Sequence, residues 1–328
     1  MRIHLDYLQE ASLQRHTKLF GERMKSYLCS FSYRFELVDQ LQCNLSPEEN
    51  ELDHYRTYDA FRFRFPSDVK ISYRHSLIIL SDSGNKRLQL FDLETRQHRA
   101  TIKLLIESCC ICVEENYGNC GSDAIIVTTC DHCIQKYDLL SLKLLWSTGK
   151  GKPGCSDSLF NIVRGVTICN KNDKAYQYLV DQDLLDCNDS LVLVCDSGNQ
   201  RVIILRSSDG KVLRSFYFSE SELEKPWGIC FTDLGQLVIC GKGSPGSIII
   251  CYTMQSGYLN ITKRFEVSGY GVNEDENRLV VTCKDCMVVI DSRNGDIQFS
   301  KPNFVTYCIN KYSGECIAIA DGLVLIYK

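Results

Sequence analysis

The chain has 328 residues and a formal net charge of −4, with 37 basic residues slightly outnumbered by 41 acidic ones. No apolar run reaches the roughly 20 residues a membrane-spanning helix needs, and the first residues, MRIHLDYLQE, lack the apolar stretch of a secretion signal. A cytoplasmic protein without a membrane anchor is expected. The 19 cysteines are an odd number, in a chain neither small nor marked for export, so reduced, structural thiols are expected rather than a disulfide framework.

Taken in order, residues 1–26 form an N-terminal extension with a weak helical pattern (Leu5, Leu8, Leu19, Phe20, Met24). Residues 27–37 alternate: Tyr27, Cys29, Phe31, Tyr33, Phe35 and Leu37 fall on one face, Ser30, Ser32, Arg34 and Glu36 on the other, the pattern of a β-strand. Residues 43–60 read as a solvated loop. From residue 61 to 328 strand–turn–strand units recur. They centre on 77–91 (LIILSDSGNKRLQLF), 124–138, 191–205 (LVLVCDSGNQRVIIL), 236–251, 278–291 and 315–327. Six hairpins spaced by about 40 residues predict a repeat fold, and its largest insertion falls at 170–188. The last unit has room for three strands only, so residues 27–41 are expected to supply the fourth and remove the open edges.

Two units carry the same letters at the same places. Leu77, Asp82, Ser83, Gly84, Asn85 and Arg87 match Leu191, Asp196, Ser197, Gly198, Asn199 and Arg201. The local chemistry predicts a turn lock. Gly84 and Gly198 supply positive φ, the Asp82 and Asp196 carboxylates accept backbone N–H groups two residues on, and Arg87 and Arg201 pair with their own Asp. Loss of either carboxylate is expected to cost about 1–2 kcal/mol. A second column precedes each hairpin: Phe63–Ile71, Phe160–Ile168 and Lys225–Phe231. Together the columns resemble the NHL-repeat family. The resemblance covers about residues 61–328 and is strongest in the units that begin at Phe63 and Phe160. It implies an all-β, six-bladed β-propeller spanning 27–328, closed by the N-terminal strand.

For function, the resemblance implies a display scaffold: a non-enzymatic protein-interaction propeller, of the kind that recognises partners or substrates for ubiquitin-ligase-type proteins. No cysteine/histidine-rich zinc region of the RING or B-box kind accompanies it. In a propeller the loops leading into the inner strands share a face with the middle turns. Ser67, Arg164 and Trp227 stand at those positions and are the candidate partner-binding residues. An RNA-binding propeller is disfavoured by short basic patches (Arg62/Arg64, Lys150/Lys152). A metal-dependent lyase or lactonase would need ligands from several blades, and of the six histidines none follows His132. The pairs Cys130/Cys133 and Cys283/Cys286 have zinc-knuckle spacing but fall in units on opposite sides of the ring, too far apart for one metal. No cofactor, metal or catalytic residue is expected, although a carboxylate-ligated metal site in the channel and a Ser–His pair assembled in space stay open.

Overall fold

The computed structural model describes residues 36–42, 63–179, 189–219, 223–232, 235–243, 247–255, 258–265, 271–275, 278–283, 286–302, 304–320 and 322–328. The N-terminal extension, the alternating stretch through residue 35 and the loop at 43–60 lie outside them. Among the described residues the strands pair into six four-stranded sheets. Five sheets are each built from four consecutive antiparallel strands, over residues 66–103, 108–148, 163–217, 225–265 and 271–302, here blades 1 to 5. The sixth is composite. Strands Phe304–Ile309, Cys316–Ala320 and Leu323–Tyr327 are completed by Leu37–Leu41, which runs antiparallel to Leu323–Tyr327 with Leu37 opposite Tyr327 and Leu41 opposite Val324.

The apolar runs explain the stacking. Ile78, Ile79 and Leu80 are fully buried in succession, as are Val192, Leu193, Val194 and Cys195. A strand with one wet face alternates; a strand covered on both faces reads as continuous apolar sequence. The two faces meet different neighbours. Ile78 and Leu80 pack with Ile317, Ile319, Val324 and Ile326 of blade 6, whereas Ile79 packs with Ile111, Ile125 and Val127 of blade 2. Leu191, Leu193 and Cys195 likewise join blade 4, and Val192 and Val194 join blade 2. Every pair of neighbouring blades shares such a core, and Leu41 of the closing strand lies in the one between blades 6 and 1. Phe63 and Phe160, the first letters of the second column, are buried plugs at the joints leading into blades 1 and 3.

The first strand of each blade is the inner one. Pro66–Ser72 packs against Ser108–Glu114 on one side and Phe304–Ile309 on the other, which joins the ends of the ring. Five of these inner strands slip register near their start, at Pro66/Asp68, Ser108/Ile111, Val163/Val166, Pro226/Gly228 and Phe304/Thr306. Each slip is a β-bulge, which bends the strand and re-aims the extra residue. The insertion at 170–188 holds one helical turn, Tyr176–Leu179, among the described residues.

Candidate interaction face

The Asp-Ser-Gly-Asn motif ties each hairpin to the segment leading into its own blade. The Asp196 carboxylate, wholly buried, accepts from the Asn161 N–H (2.7 Å), Asn199 Nδ2 (2.8 Å) and Arg201 Nε (2.7 Å). Asp82 repeats the set with the Arg64 N–H (2.7 Å), Asn85 Nδ2 (2.9 Å) and Arg87 Nε (2.7 Å). The backbone donor therefore belongs to the incoming segment, about one hairpin upstream, and not to a residue two places on. The glycines also act differently from the sequence expectation. Positive φ falls on Lys86 (52°) and Gln200 (53°), while Gly84 and Gly198 sit in 3-10 turns with ordinary φ. Glycine is required for close approach. Gly84 N–H donates to Arg64 O at 2.8 Å and Gly198 N–H to Asn161 O at 2.7 Å. A Cβ at Gly198 would lie 2.5 Å from Asn161 Cγ, and one at Gly84 would lie 2.8 Å from Arg64 O. The serine of the motif links blades: Ser83 Oγ donates to Ser108 O (2.7 Å) and Ser197 Oγ to Pro226 O, both at the start of the next inner strand.

This clamp forces the residue after Arg64 and after Asn161 into the left-handed region. Phe65 has φ 46° and Ile162 φ 54°. A bulky or β-branched residue there is a true outlier, and such strain is held only where surrounding bonds over-determine the backbone. The side chains point outward: Phe65 is 75% exposed and Ile162 45%. Leu105, in the segment leading into blade 2, is 87% exposed, and Val305, at the bulge of blade 6, is 49% exposed. Charge accompanies them. Arg64, Arg164 and Lys225 are exposed, and the Arg64 guanidinium lies 6.0 Å from the Phe65 ring centre.

Ser67, Arg164 and Trp227 occupy bulge positions of blades 1, 3 and 4, on this same face. They are not equivalent. Ser67 is half-buried and bonded to Ser81 Oγ (2.7 Å) and Ser108 O (3.3 Å), so its hydroxyl serves the joint between blades 1 and 2. Trp227 is half-buried, and its carbonyl lies 2.5 Å from where a Cβ of Gly165 would stand. Arg164 is exposed, while its carbonyl accepts from Thr128 Oγ1 at 2.8 Å. Sequence reasoning missed Phe65 and Ile162. Their signal was a shared apolar letter two places after the column phenylalanines Phe63 and Phe160.

The channel and the opposite face hold polar groups that are already partnered. Asp68, on the inner strand of blade 1, accepts from Lys70 Nζ (2.7 Å), the Val69 N–H (2.9 Å) and the Ile111 N–H (2.9 Å). Burial opposes the Lys70 charge, but the Asp68 carboxylate outweighs it and the lysine pKa is raised. On the opposite face Ser122 Oγ is 3.5 Å from His75 Nε2, yet that nitrogen accepts the Asp123 N–H at 3.0 Å. The Asp123 carboxylate is held by Ser72 Oγ (2.6 Å) and the Asn116 N–H (2.8 Å). This is a structural cluster, not a nucleophile and its base. Among the described residues no three His, Cys, Asp or Glu side chains are placed to hold a metal, and no helix there is long and apolar enough to cross a membrane.

Ring, blades and inner strands define the class: the chain is a β-propeller. No known family matches the sequence, and no curated protein matches it. Among solved structures it is similar to the WD40 β-propeller domain of Doa1, with a TM-score of 0.52 and 12% identity over 80% of this chain and 79% of that one. At that identity the likeness establishes the fold.

Proposed function

We propose that this propeller is a non-enzymatic binding scaffold of NHL type that recognises another protein through the face carrying the incoming segments. The observation that carries the reading is the pair Phe65 and Ile162. A buried hydrogen-bond clamp holds two large apolar side chains in water, on strained backbone, at matching places in two blades. A scaffold concerned only with stability would place small or polar residues there. Apolar anchors ringed by arginine and lysine suit a protein segment that combines apolar side chains with carboxylates. Recognition on behalf of a ubiquitin-ligase-type assembly is the form of this reading that the NHL resemblance suggests.

The test compares affinity capture by the wild-type chain with capture by Phe65→Ser/Ile162→Ser. Both side chains are exposed, so the denaturation midpoint should hold while a specific protein is lost. Removing a central apolar anchor weakens binding by about 2 kcal/mol, roughly thirtyfold. Arg164→Ala should weaken the same complex. If the double variant retains every wild-type partner, this face is not the one used. The basic residues beside Phe65 and Trp227 also suit single-stranded RNA, and recovery of RNA with affinity falling steeply in salt would replace the protein reading.

A further inference from the structure

Blade 2 departs from the Asp-Ser-Gly-Asn turn, and the departure brings two thiols together. By strand register Cys130 stands where blades 1 and 3 have Ser83 and Ser197, whose hydroxyls donate to the next blade. The Cys130 thiol turns instead to its own blade, with Sγ 3.4 Å from Cys109 Sγ. Cys109 lies at the bulge of the inner strand and is buried, whereas Cys130 is exposed. One thiol thus meets solvent and the other waits directly behind it. The hydrogen bond from Cys109 lowers the Cys130 pKa to about 7 against the effect of burial, and the Arg164 charge acts in the same sense. That hydrogen bond, together with burial, pushes Cys109 up, so the shared proton rests on the inner sulfur. The neighbouring thiols are different. Cys110 is pushed up to about 12 by burial, and Cys133 Sγ is directed to Asp131 O at 3.7 Å.

We infer that Cys109 and Cys130 form an oxidant-responsive dithiol, in which Cys130 reacts with a hydroperoxide and Cys109 closes the product to an intramolecular disulfide. In the first step the Cys130 thiolate attacks a peroxide oxygen. The S–O bond forms, the O–O bond breaks, and the leaving hydroxide takes a proton to become water. In the second step the Cys109 sulfur attacks the sulfenic sulfur. The S–S bond forms, the S–O bond breaks, and the departing hydroxide leaves as water with the Cys109 proton. Two thiols and one hydrogen peroxide give one disulfide and two waters. The sulfurs need to close from 3.4 Å to bonding distance, and a bulged segment beside an irregular turn accommodates that shift.

Cys120 and Cys155 are also exposed and serve as internal controls. The fully reduced chain is treated at pH 7 with one equivalent of hydrogen peroxide, alkylated and denatured. Digestion with trypsin and a glutamyl protease cuts between the two sulfurs at Glu114 and Glu115. The expected product is a single link between Cys109 and Cys130, with Cys120 and Cys155 alkylated. In the untreated protein Cys130 should alkylate about tenfold faster than those controls, since the thiolate is the reactive form. Cys109→Ser should abolish the link and let Cys130 proceed to sulfinic acid, while Cys110→Ser should leave the link intact. Cys130→Ser restores the residue used by blades 1 and 3 and should fold while losing the response. A Cys130 no more reactive than Cys120 and Cys155, or a link that persists in Cys109→Ser, overturns the inference. The wild-type rates need no variant, so a folding defect in one does not blunt the test.

Discussion

Asp196→Ala isolates what the buried clamp contributes. The side chains of Asp196 and Arg201 are 0% and 1% exposed and sit 2.7 Å apart. Removing the carboxylate leaves a guanidinium in the interior without its counter-charge, deprives the Asn161 N–H of its acceptor and leaves Asn199 Nδ2 only Gly154 O. Breaking one side of a buried pair costs about 3–5 kcal/mol, well above the 1–2 expected for a turn hydrogen bond. Arg201 keeps four further acceptors, namely Cys155 O, Ser156 O, Leu159 O and Tyr217 OH, which places the cost near the lower end, about 3 kcal/mol. Urea denaturation followed by fluorescence of the two tryptophans reads this directly. Trp146 is well placed as a reporter, because its indole N–H donates to Ser207 O of blade 3 at 2.8 Å. The double variant Asp196→Ala/Arg201→Leu removes both charges and should recover part of the loss. A cost below about 1 kcal/mol for the single variant would refute the reasoning. So would a double variant no more stable than the single, which would assign the effect to the lost hydrogen bonds rather than the stranded charge.

Gly198→Ala should cost about 1–3 kcal/mol in the same assay, because its Cβ meets Asn161 rather than because of backbone strain. Lys136→Met should cost about 3–5 kcal/mol, since Lys136 and Glu114 form a buried ion pair at 2.6 Å and the carboxylate would lose its counter-charge and keep only the Ser207 hydroxyl; a circular-dichroism melt checks it. Burial lowers the His75 pKa, outweighing Asp123 and Asp138, which raise it, and Arg74 adds to the lowering. The unfolded chain therefore binds the proton more readily, and the His75 contribution is present above about pH 6.5 and lost as pH falls through the folded value. Denaturation midpoints at pH 7.5 and 5.5 should differ less in His75→Gln than in wild type. Deleting residues 1–41 should expose the Leu323–Tyr327 edge and give aggregates in size-exclusion chromatography.

The sequence disclosed features that depend on neighbours along the chain. Hairpins at 77–92 and 191–206 were readable because both strand faces are buried and the turns carry Asp, Gly and Asn together. The Asp–Arg pairs were readable from their fixed spacing. Features that depend on approach between distant segments were not. Gly84 suggested a φ requirement, yet its neighbour is the Arg64 carbonyl, which no local pattern marks. Among the described residues the closing strand expected within 27–41 pairs as Leu37–Leu41, of which only Leu41 is buried. There backbone bonding to a free edge decides, and it leaves little trace in side-chain pattern. At the candidate face, Ser67, Arg164 and Trp227 all lie at bulges of inner strands, but exposure separates them, and exposure follows from bulge geometry. The spacing of Cys130 and Cys133 drew the eye forward along the chain. The sulfur that touches Cys130 lies 21 residues behind it.

The composite sixth blade also constrains how the molecule comes into being. Blades 1 to 5 each become complete as their own four strands leave the ribosome, and each can dock on the one before it. Leu37–Leu41 is synthesised before all of them, yet its partner Leu323–Tyr327 follows the last of them. Until that partner is made the early strand has no mate and blade 1 lacks one neighbour, so Ile78 and Leu80 stay open to solvent. Ring closure is thus a late, all-at-once event of high contact order, and it sets the interval in which the growing chain needs protection from other chains.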